Sequence, residues 1–241
     1  TGNDTIASGD ADDLLIGGAD DDVVFAGGGN DVVLGGGGRD MLNGGDGNDT
    51  VSGQGSNDTV EGGAGDDFVD GGVGVDVAYG DDALNTTTGN DTVVGGAMDD
   101  VLFGGGGNDL LFGGSGRDVL NGGDGSDTLF GQGSNDVVNG DGGNDTIVWK
   151  GDGNDSFNGG DGLDVVAVRG TNGSDTISVQ QTGSTLQVVR GTATLSFANS
   201  NDDVSNAVEE LTVDGRGGND QINLGTVNAV GALVLNLNGG A

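Results

Sequence analysis

One residue type recurs at a fixed interval and could do chemistry. Asp stands at Asp4, Asp13, Asp22, Asp31, Asp40, Asp49, Asp58, Asp67 and Asp76, each nine residues after the last. The phase skips 15 residues and resumes at Asp91, Asp100, Asp109, Asp118, Asp127, Asp136 and Asp145, with Asp155 following ten residues on and Asp164 nine after that. Carboxylates with neighbouring backbone carbonyls form a hard oxygen donor set. Flexible coordination by six or more such oxygens suits Ca²⁺ better than Mg²⁺. The chain has no Cys and no His, so nitrogen or sulfur ligands for softer metals are lacking. These 18 Asp residues are the predicted metal ligands, and several Ca²⁺ ions the predicted cofactor.

The elements that must hold them follow from the rest of the repeat. Two residues after each Asp comes an apolar residue, as in Ile6, Leu15, Val24, Val33 and Leu42, then Val93, Leu102, Leu111 and Leu120. A Gly-rich stretch precedes each Asp, as in Gly27-Gly28-Gly29-Asn30-Asp31. Gly supplies the positive φ of tight turns. A short strand turns one apolar side chain inward and its neighbours outward. Nine residues therefore divide into six of turn and three of strand, and two units close one coil of 18. Coils stacked about 4.8 Å apart pair each strand with those above and below. The predicted fold is all-β, a right-handed parallel β-roll. Its core is one side chain thick on each side, too thin to offset the entropy lost by Gly-rich turns unaided. Residues i and i+18 should lie in columns: Asp13, Asp31, Asp49 and Asp67 on one edge, Asp4, Asp22, Asp40, Asp58 and Asp76 on the other. Carboxylates about 5 Å apart repel by roughly 1 kcal/mol in water and about 3 at an effective dielectric of 20. Cations between them would reverse that sign.

The stretch Asn30–Val60 returns as Asn108–Val138, an offset of 78, and aligns Arg39 with Arg117. The boundaries read as a first roll block 1–81, an inserted loop 82–90, a second block 91–168, and a β-rich continuation or cap 169–241. How the loop joins the blocks leaves Asp109 stacked on Asp127 and on either Asp91 or Asp67. In the last third Gly thins out and strand-like runs lengthen, among them Asp175–Val179, Thr185–Val189, Ala193–Phe197 and Ala232–Leu237. They read as wider coils. Asn172–Ile177 echoes Gly217–Ile222 at an offset of 45. The sequence opens at Thr1 without a basic-then-apolar leader and stops in an incipient turn, which reads as a piece of a longer protein.

Composition removes several classes. Of 241 residues 57 are Gly, 40 are acidic and 6 are Lys or Arg, for a net charge of −34. Nucleic-acid binding needs basic stripes that are lacking. An anionic membrane surface repels such a chain, and no apolar run approaches the roughly 18 residues of a bilayer span. Ser115 and Ser126 have no His to serve as base, which excludes a Ser-His-Asp triad. Asn199, Asn201, Asp203 and Glu210 imitate a calcium-loop spacing, but Val204 stands where Gly is required, so a polar loop is the reading. Arg39 and Arg117 read as braces between carboxylates.

The repeat resembles the RTX nonapeptide family, G-G-x-G-x-D-x-U-x. Gly35-Gly36-Gly37-Gly38-Arg39-Asp40-Met41-Leu42-Asn43 and Gly104-Gly105-Gly106-Gly107-Asn108-Asp109-Leu110-Leu111-Phe112 fit every position. The resemblance covers about residues 1–164. Departures are Gln54, Gln132, Asp20 and Asp141 at Gly positions, Val75 and Ala78 around Asp76, and Trp149-Lys150 before the Asp155 unit. The resemblance implies ions held between successive coils by the Asp of both turns and by turn carbonyls. It also implies export through a type I apparatus and folding outside the cell, hence a secreted or cell-surface location. The expected function is a non-catalytic structural module, such as a stalk, adhesin segment, surface-layer or filament subunit. The alternative is the accessory C-terminal part of a secreted protease, lipase or epimerase. Outward strand positions are often apolar, and Val94, Phe112, Phe130 and Val148 should form one stripe for self-assembly or docking.

Overall fold

The computed structural model describes residues 2–84, 87–150 and 153–170, and beyond them strands 176–182, 185–190, 193–198, 208–214, 221–224 and 234–238 with residue 216. Among these residues there is no helix, and so none long and apolar enough to cross a membrane.

The strands follow the nine-residue phase. They are β1 (Thr5–Ala7), β2 (Leu14–Ala19), β3 (Val23–Gly28), β4 (Val32–Gly37), β5 (Met41–Asp46), β6 (Thr50–Gly55), β7 (Thr59–Ala64), β8 (Phe68–Val73) and β9 (Val77–Tyr79). Past the insertion come β10 (Thr92–Ala97), β11 (Val101–Gly106), β12 (Leu110–Ser115), β13 (Val119–Asp124), β14 (Thr128–Gly133), β15 (Val137–Gly142), β16 (Thr146–Trp149), β17 (Asp155–Asp161) and β18 (Asp164–Arg169). Then follow β19 (Thr176–Thr182), β20 (Thr185–Arg190), β21 (Ala193–Ala198), β22 (Val208–Asp214), β23 (Gln221–Leu224) and β24 (Val234–Asn238).

Odd-numbered strands β1 to β17 line one sheet and even-numbered strands β2 to β18 the other, all parallel to their neighbours. This is a parallel β-solenoid of about nine coils. The offset between paired residues is 18, as in Val32↔Thr50, and grows to 24 across the insertion, as in Phe68↔Thr92. The residue two after each Asp points inward. Val24, Leu42, Val60, Leu102 and Leu120 face Val33, Val51, Val69, Leu111 and Leu129 with no exposed surface.

The division of the repeat differs from expectation. Most strands are six residues long and most turns three, because the Gly pair continues the ladder: Gly18 pairs with Gly36 and Gly36 with Gln54. At positive φ a residue still presents its amide and carbonyl to the coils above and below, and Asp20, Gln54, Gln132 and Asp141 adopt that conformation at φ 70 to 75°. Such close coils leave no room for side chains at some turn positions. Gly107 has φ +136°, and a methyl there would collide with the Gly89 carbonyl. Gly37 has no atom within 4 Å of its would-be Cβ. Gly107→Ala is expected to cost about 3 kcal/mol or more, and Gly37→Ala to leave stability within about 0.5 kcal/mol. Thermal melts of the two calcium-saturated variants, read side by side, check the contrast.

The last third is not built of wider coils alone. β19, β20 and β21 form an antiparallel meander that joins the odd sheet through β21 against β17. The even sheet continues in parallel through β22 and β24. The echo at an offset of 45 does pair in register, with Ile177 beside Ile222 and Val166 beside Leu211. Trp149 and Phe157, each 2% exposed, fill the core where the repeat gives way.

Candidate metal centre

Every predicted Asp occupies the residue just before a strand or, at Asp155 and Asp164, its first residue. Those preceding odd strands form one column along the edge: Asp4, Asp22, Asp40, Asp58, Asp76, Asp100, Asp118, Asp136 and Asp155. Those preceding even strands form the other: Asp13, Asp31, Asp49, Asp67, Asp91, Asp109, Asp127, Asp145 and Asp164. Within each column the amide of one Asp donates to Oδ1 of the next, at 2.7 to 2.9 Å throughout. The ladder crosses the insertion without a gap, from Asp67 to Asp91 and from Asp76 to Asp100. Asp109 therefore stacks on Asp91, not Asp67. The extra residue before Asp155 is absorbed in the same way, since Asp136 donates to it.

Asp22 to Asp164 in these columns are buried, at most 4% exposed. Among the described residues, Oδ2 of Asp22, Asp31, Asp40, Asp49, Asp58, Asp67, Asp76, Asp91, Asp100, Asp109, Asp118, Asp127 and Asp145 is buried with no hydrogen-bond donor. A buried carboxylate oxygen without a donor costs a large desolvation penalty. These oxygens instead converge with carbonyls. A methyl at Gly53 would stand 2.5 Å from Asp58 Oδ2 and 2.7 Å from the Gly71 carbonyl of the next coil. At Gly113 the corresponding distances, to Asp118 Oδ2 and the Gly131 carbonyl, are both 2.6 Å. Acceptors facing acceptors, with no proton between them, are a cation's donor set. Among the described residues no three carboxylates gather at one point. A shell of six or more oxygens on these columns would therefore draw on turn carbonyls as well as Asp pairs.

The electrostatics agree. Burial pushes the carboxyls of Asp58, Asp67, Asp91, Asp100, Asp109, Asp127 and Asp145 up to about 7 and that of Asp118 to about 6. The amide from the coil below works against this shift, and neighbouring carboxylates add to it. Asp40, Asp49 and Asp76 are raised for the same first reason.

A second ladder lies one residue earlier, which the Asp period does not announce. There the upper coil's amide donates to a side chain below, as from Asn48 to Asn30 Oδ1 at 2.8 Å, Asn108 to Asn90 at 2.9 Å, and Ser126 to Asn108 at 2.8 Å. Arg39 and Arg117 take part through their amides, to Asp21 and Asp99. Arg117 also pairs with the Asp99 carboxylate at 2.8 Å, an exposed bridge of small energetic weight. The sequence signal is the Asn or Asp that precedes most ladder Asp residues.

The inserted residues are not simply a protrusion. In a regular coil the amide two residues past the Gly pair's first member reaches a carbonyl below, as Gly28 does to Gly9 at 2.8 Å. At the insertion Gly106 donates instead to Asp81 Oδ2, at 2.6 Å. The Thr87 hydroxyl donates to the Gly63 carbonyl at 2.9 Å. Two side chains thus stand in for one missing stretch of main chain. The tip does project, with Leu84 82% exposed.

The apolar stripe is in register as expected, with Val94 beside Phe112 and Phe112 beside Phe130. The two Phe rings stack with centroids 4.9 Å apart. Val148 departs from the expectation and is buried, at 3% exposure. Lys150 folds back over this end of the stripe, its Nζ 5.8 Å from the Phe130 centroid. Of the calcium-loop imitation, residues 199–207 lie outside the described residues, while Glu210 falls within β22.

Two carboxylate ladders on the edges of a parallel β-solenoid define a class of protein, the acidic parallel β-roll. Overlapping stretches 1–33, 27–60, 34–69, 43–78, 52–86, 77–111, 85–120 and 112–147 match the family described as RTX calcium-binding nonapeptide repeat (4 copies). They span more than half of the chain, which belongs to this family. A comparison with curated proteins gives no match.

Proposed function

We propose that this chain is a structural Ca²⁺-binding module of a secreted or cell-surface protein, non-catalytic in itself, that winds into its roll when it meets extracellular calcium. The observation that carries the reading is the double column of buried Asp oxygens without donors. The paired Asp residues of successive coils, from Asp4 to Asp155 and from Asp13 to Asp164, would hold the ions together with turn carbonyls. When bound, Ca²⁺ supplies charge neutralisation along the columns. The chain supplies the spacing, the exclusion of water and the second ladder that keeps the turns aligned. Binding to the folded state alone stabilises that state. In low calcium the chain stays extended and fit for a type I export channel; outside it becomes rigid. Family membership supports the export route. The role is then that of a stalk, adhesin segment or lattice subunit. A second reading, the accessory part of a secreted enzyme, is favoured only by family membership and predicts a catalytic domain elsewhere in the same gene.

Circular dichroism during Ca²⁺ titration, with Mg²⁺ as control, tests the proposal. The expected result is a cooperative gain of β signal with Ca²⁺ and little with Mg²⁺. A full β spectrum in chelator at neutral pH would sink it. The half-buried stripe of Val94, Phe112 and Phe130 is the proposed self-assembly or docking surface. Phe112→Ser with Phe130→Ser should lower self-association in sedimentation by at least tenfold while the Ca²⁺-induced spectrum persists, a loss of about 1.4 kcal/mol or more of contact energy. Unchanged sedimentation would dispose of the surface.

A further inference from the structure

We propose that Asp81 makes the ion sites flanking Asp91 the tightest on the roll, so that calcium loading starts at the insertion. The inference rests on the Ca²⁺ reading above and adds an order of filling to it. Asp81 is 1% exposed, and its Oδ2 accepts the Gly106 amide. Its Oδ1 is buried without a hydrogen bond, and the one hydroxyl acting on this carboxylate is that of Thr87. The nearby Thr87 hydroxyl gives its proton to the Gly63 carbonyl. The Asp81 charge reaches three consecutive members of one column, Asp67, Asp91 and Asp109. Next to it, Gly80 borders the cradle where Asp91 Oδ2 and the Gly104 carbonyl converge.

Among the described coils only Asp141 offers a comparable charge at this position, and it reaches two column members, Asp127 and Asp145, from an exposed position. The matching position on the same edge is Gly27, Gly45, Gly63, Gly105, Gly123 and Gly160, or else Asp141, which is exposed. A buried charge is little screened by salt or water, and calcium affinity rises with the number of anionic groups around the ion. Asp81 achieves this through its field whether or not it touches the metal. The inserted residues thereby do more than bridge two blocks. They place one additional carboxylate beside two sites at mid-roll.

Calorimetric Ca²⁺ titration of the full chain and of Asp81→Asn tests the idea. The Asn side chain keeps an acceptor for the Gly106 amide, removes the charge and puts an NH2 where Oδ1 stood, beside the Thr87 hydroxyl. The expected result is a first class of sites weakened by roughly tenfold or more, with the total number of ions unchanged. Crystals of the unsubstituted chain grown in limiting Ca²⁺ should show the highest calcium occupancy, by anomalous scattering, beside Asp91. That measurement decides the matter even if the variant folds poorly. First-class affinity unaltered in Asp81→Asn, or occupancy spread evenly along both columns, would overturn the proposal. A wild-type chain that binds no calcium at any concentration overturns the underlying Ca²⁺ reading, and this inference with it.

Discussion

Stripped of calcium at about pH 8 the chain should lose its β spectrum, and acidification to about pH 5 in chelator should restore much of it. The sign follows from the buried columns. Eight carboxyls, Asp58, Asp67, Asp91, Asp100, Asp109, Asp118, Asp127 and Asp145, are raised in the folded state to about 6 or 7 from an ordinary 3.8, chiefly by burial. The folded chain then holds more protons than the unfolded one between about pH 4 and 7. Stability from these groups is fully present below pH 3.8 and is lost as pH rises through 6 to 7. Without metal, the roll is expected to behave as an acid-stabilised fold. With metal the dependence inverts, because each ion must displace protons to bind. Calcium affinity should climb over the same window and level off above about pH 7, by up to about a hundredfold per pH unit if two protons leave per ion. The chain has no His, so no imidazole contributes to this titration. Paired pH series, one in chelator and one in saturating calcium, check both slopes. Two curves of the same sign would refute the assignment.

Asp109→Ala and Asp109→Asn should part company. Asp109 accepts from the Asp91 amide and donates its own to Asp127, both at 2.8 Å. The Ala variant orphans a buried amide at a cost of about 1 to 3 kcal/mol and removes a carboxylate shared by two sites. Calorimetry should count two ions fewer, with a lower melting temperature in calcium. The Asn variant keeps the acceptor and sheds the charge. It should also bind two fewer ions, yet be more stable than wild type in chelator at neutral pH, because a raised carboxyl no longer has to ionise in place. An unchanged ion count in both variants would remove Asp109 from the metal-binding set.

Much of this was legible from the order of residues. The Asp phase, with an apolar residue two places on, foretells the columns, the core and the coil of 18. The 78-residue duplication foretells that the insertion leaves the register intact, and the unbroken bonds from Asp67 to Asp91 and from Asp76 to Asp100 bear that out. Other features carry no side-chain signal. Gly36 and Gly45 continue a strand through main-chain bonds alone, so the strand looks half its length on paper. The meander of β19 to β21 reads as extended segments, but pairing direction is set by turns and neighbours rather than by alternation. Asp81 looks like any loop acid until its carboxylate is seen standing in for a carbonyl. The Asn ladder was available in principle. It is hidden because Asp, Ser, Arg, Val and Leu share its positions and only some of their side chains accept an amide.

The two ladders run in opposite senses, and this bears on mechanics. Each coil hands an amide upward to an Asp above, as Asp91 does to Asp109, and takes hold of an upper amide with its own Asn, as Asn90 does with Asn108. A terminal coil therefore offers a newcomer both a proton and a lone pair, already aimed. Such a surface is suited to template winding one coil at a time. Tension along the solenoid should reverse the process, shedding 18-residue lengths from regular coils and a longer, 24-residue length where the insertion lies.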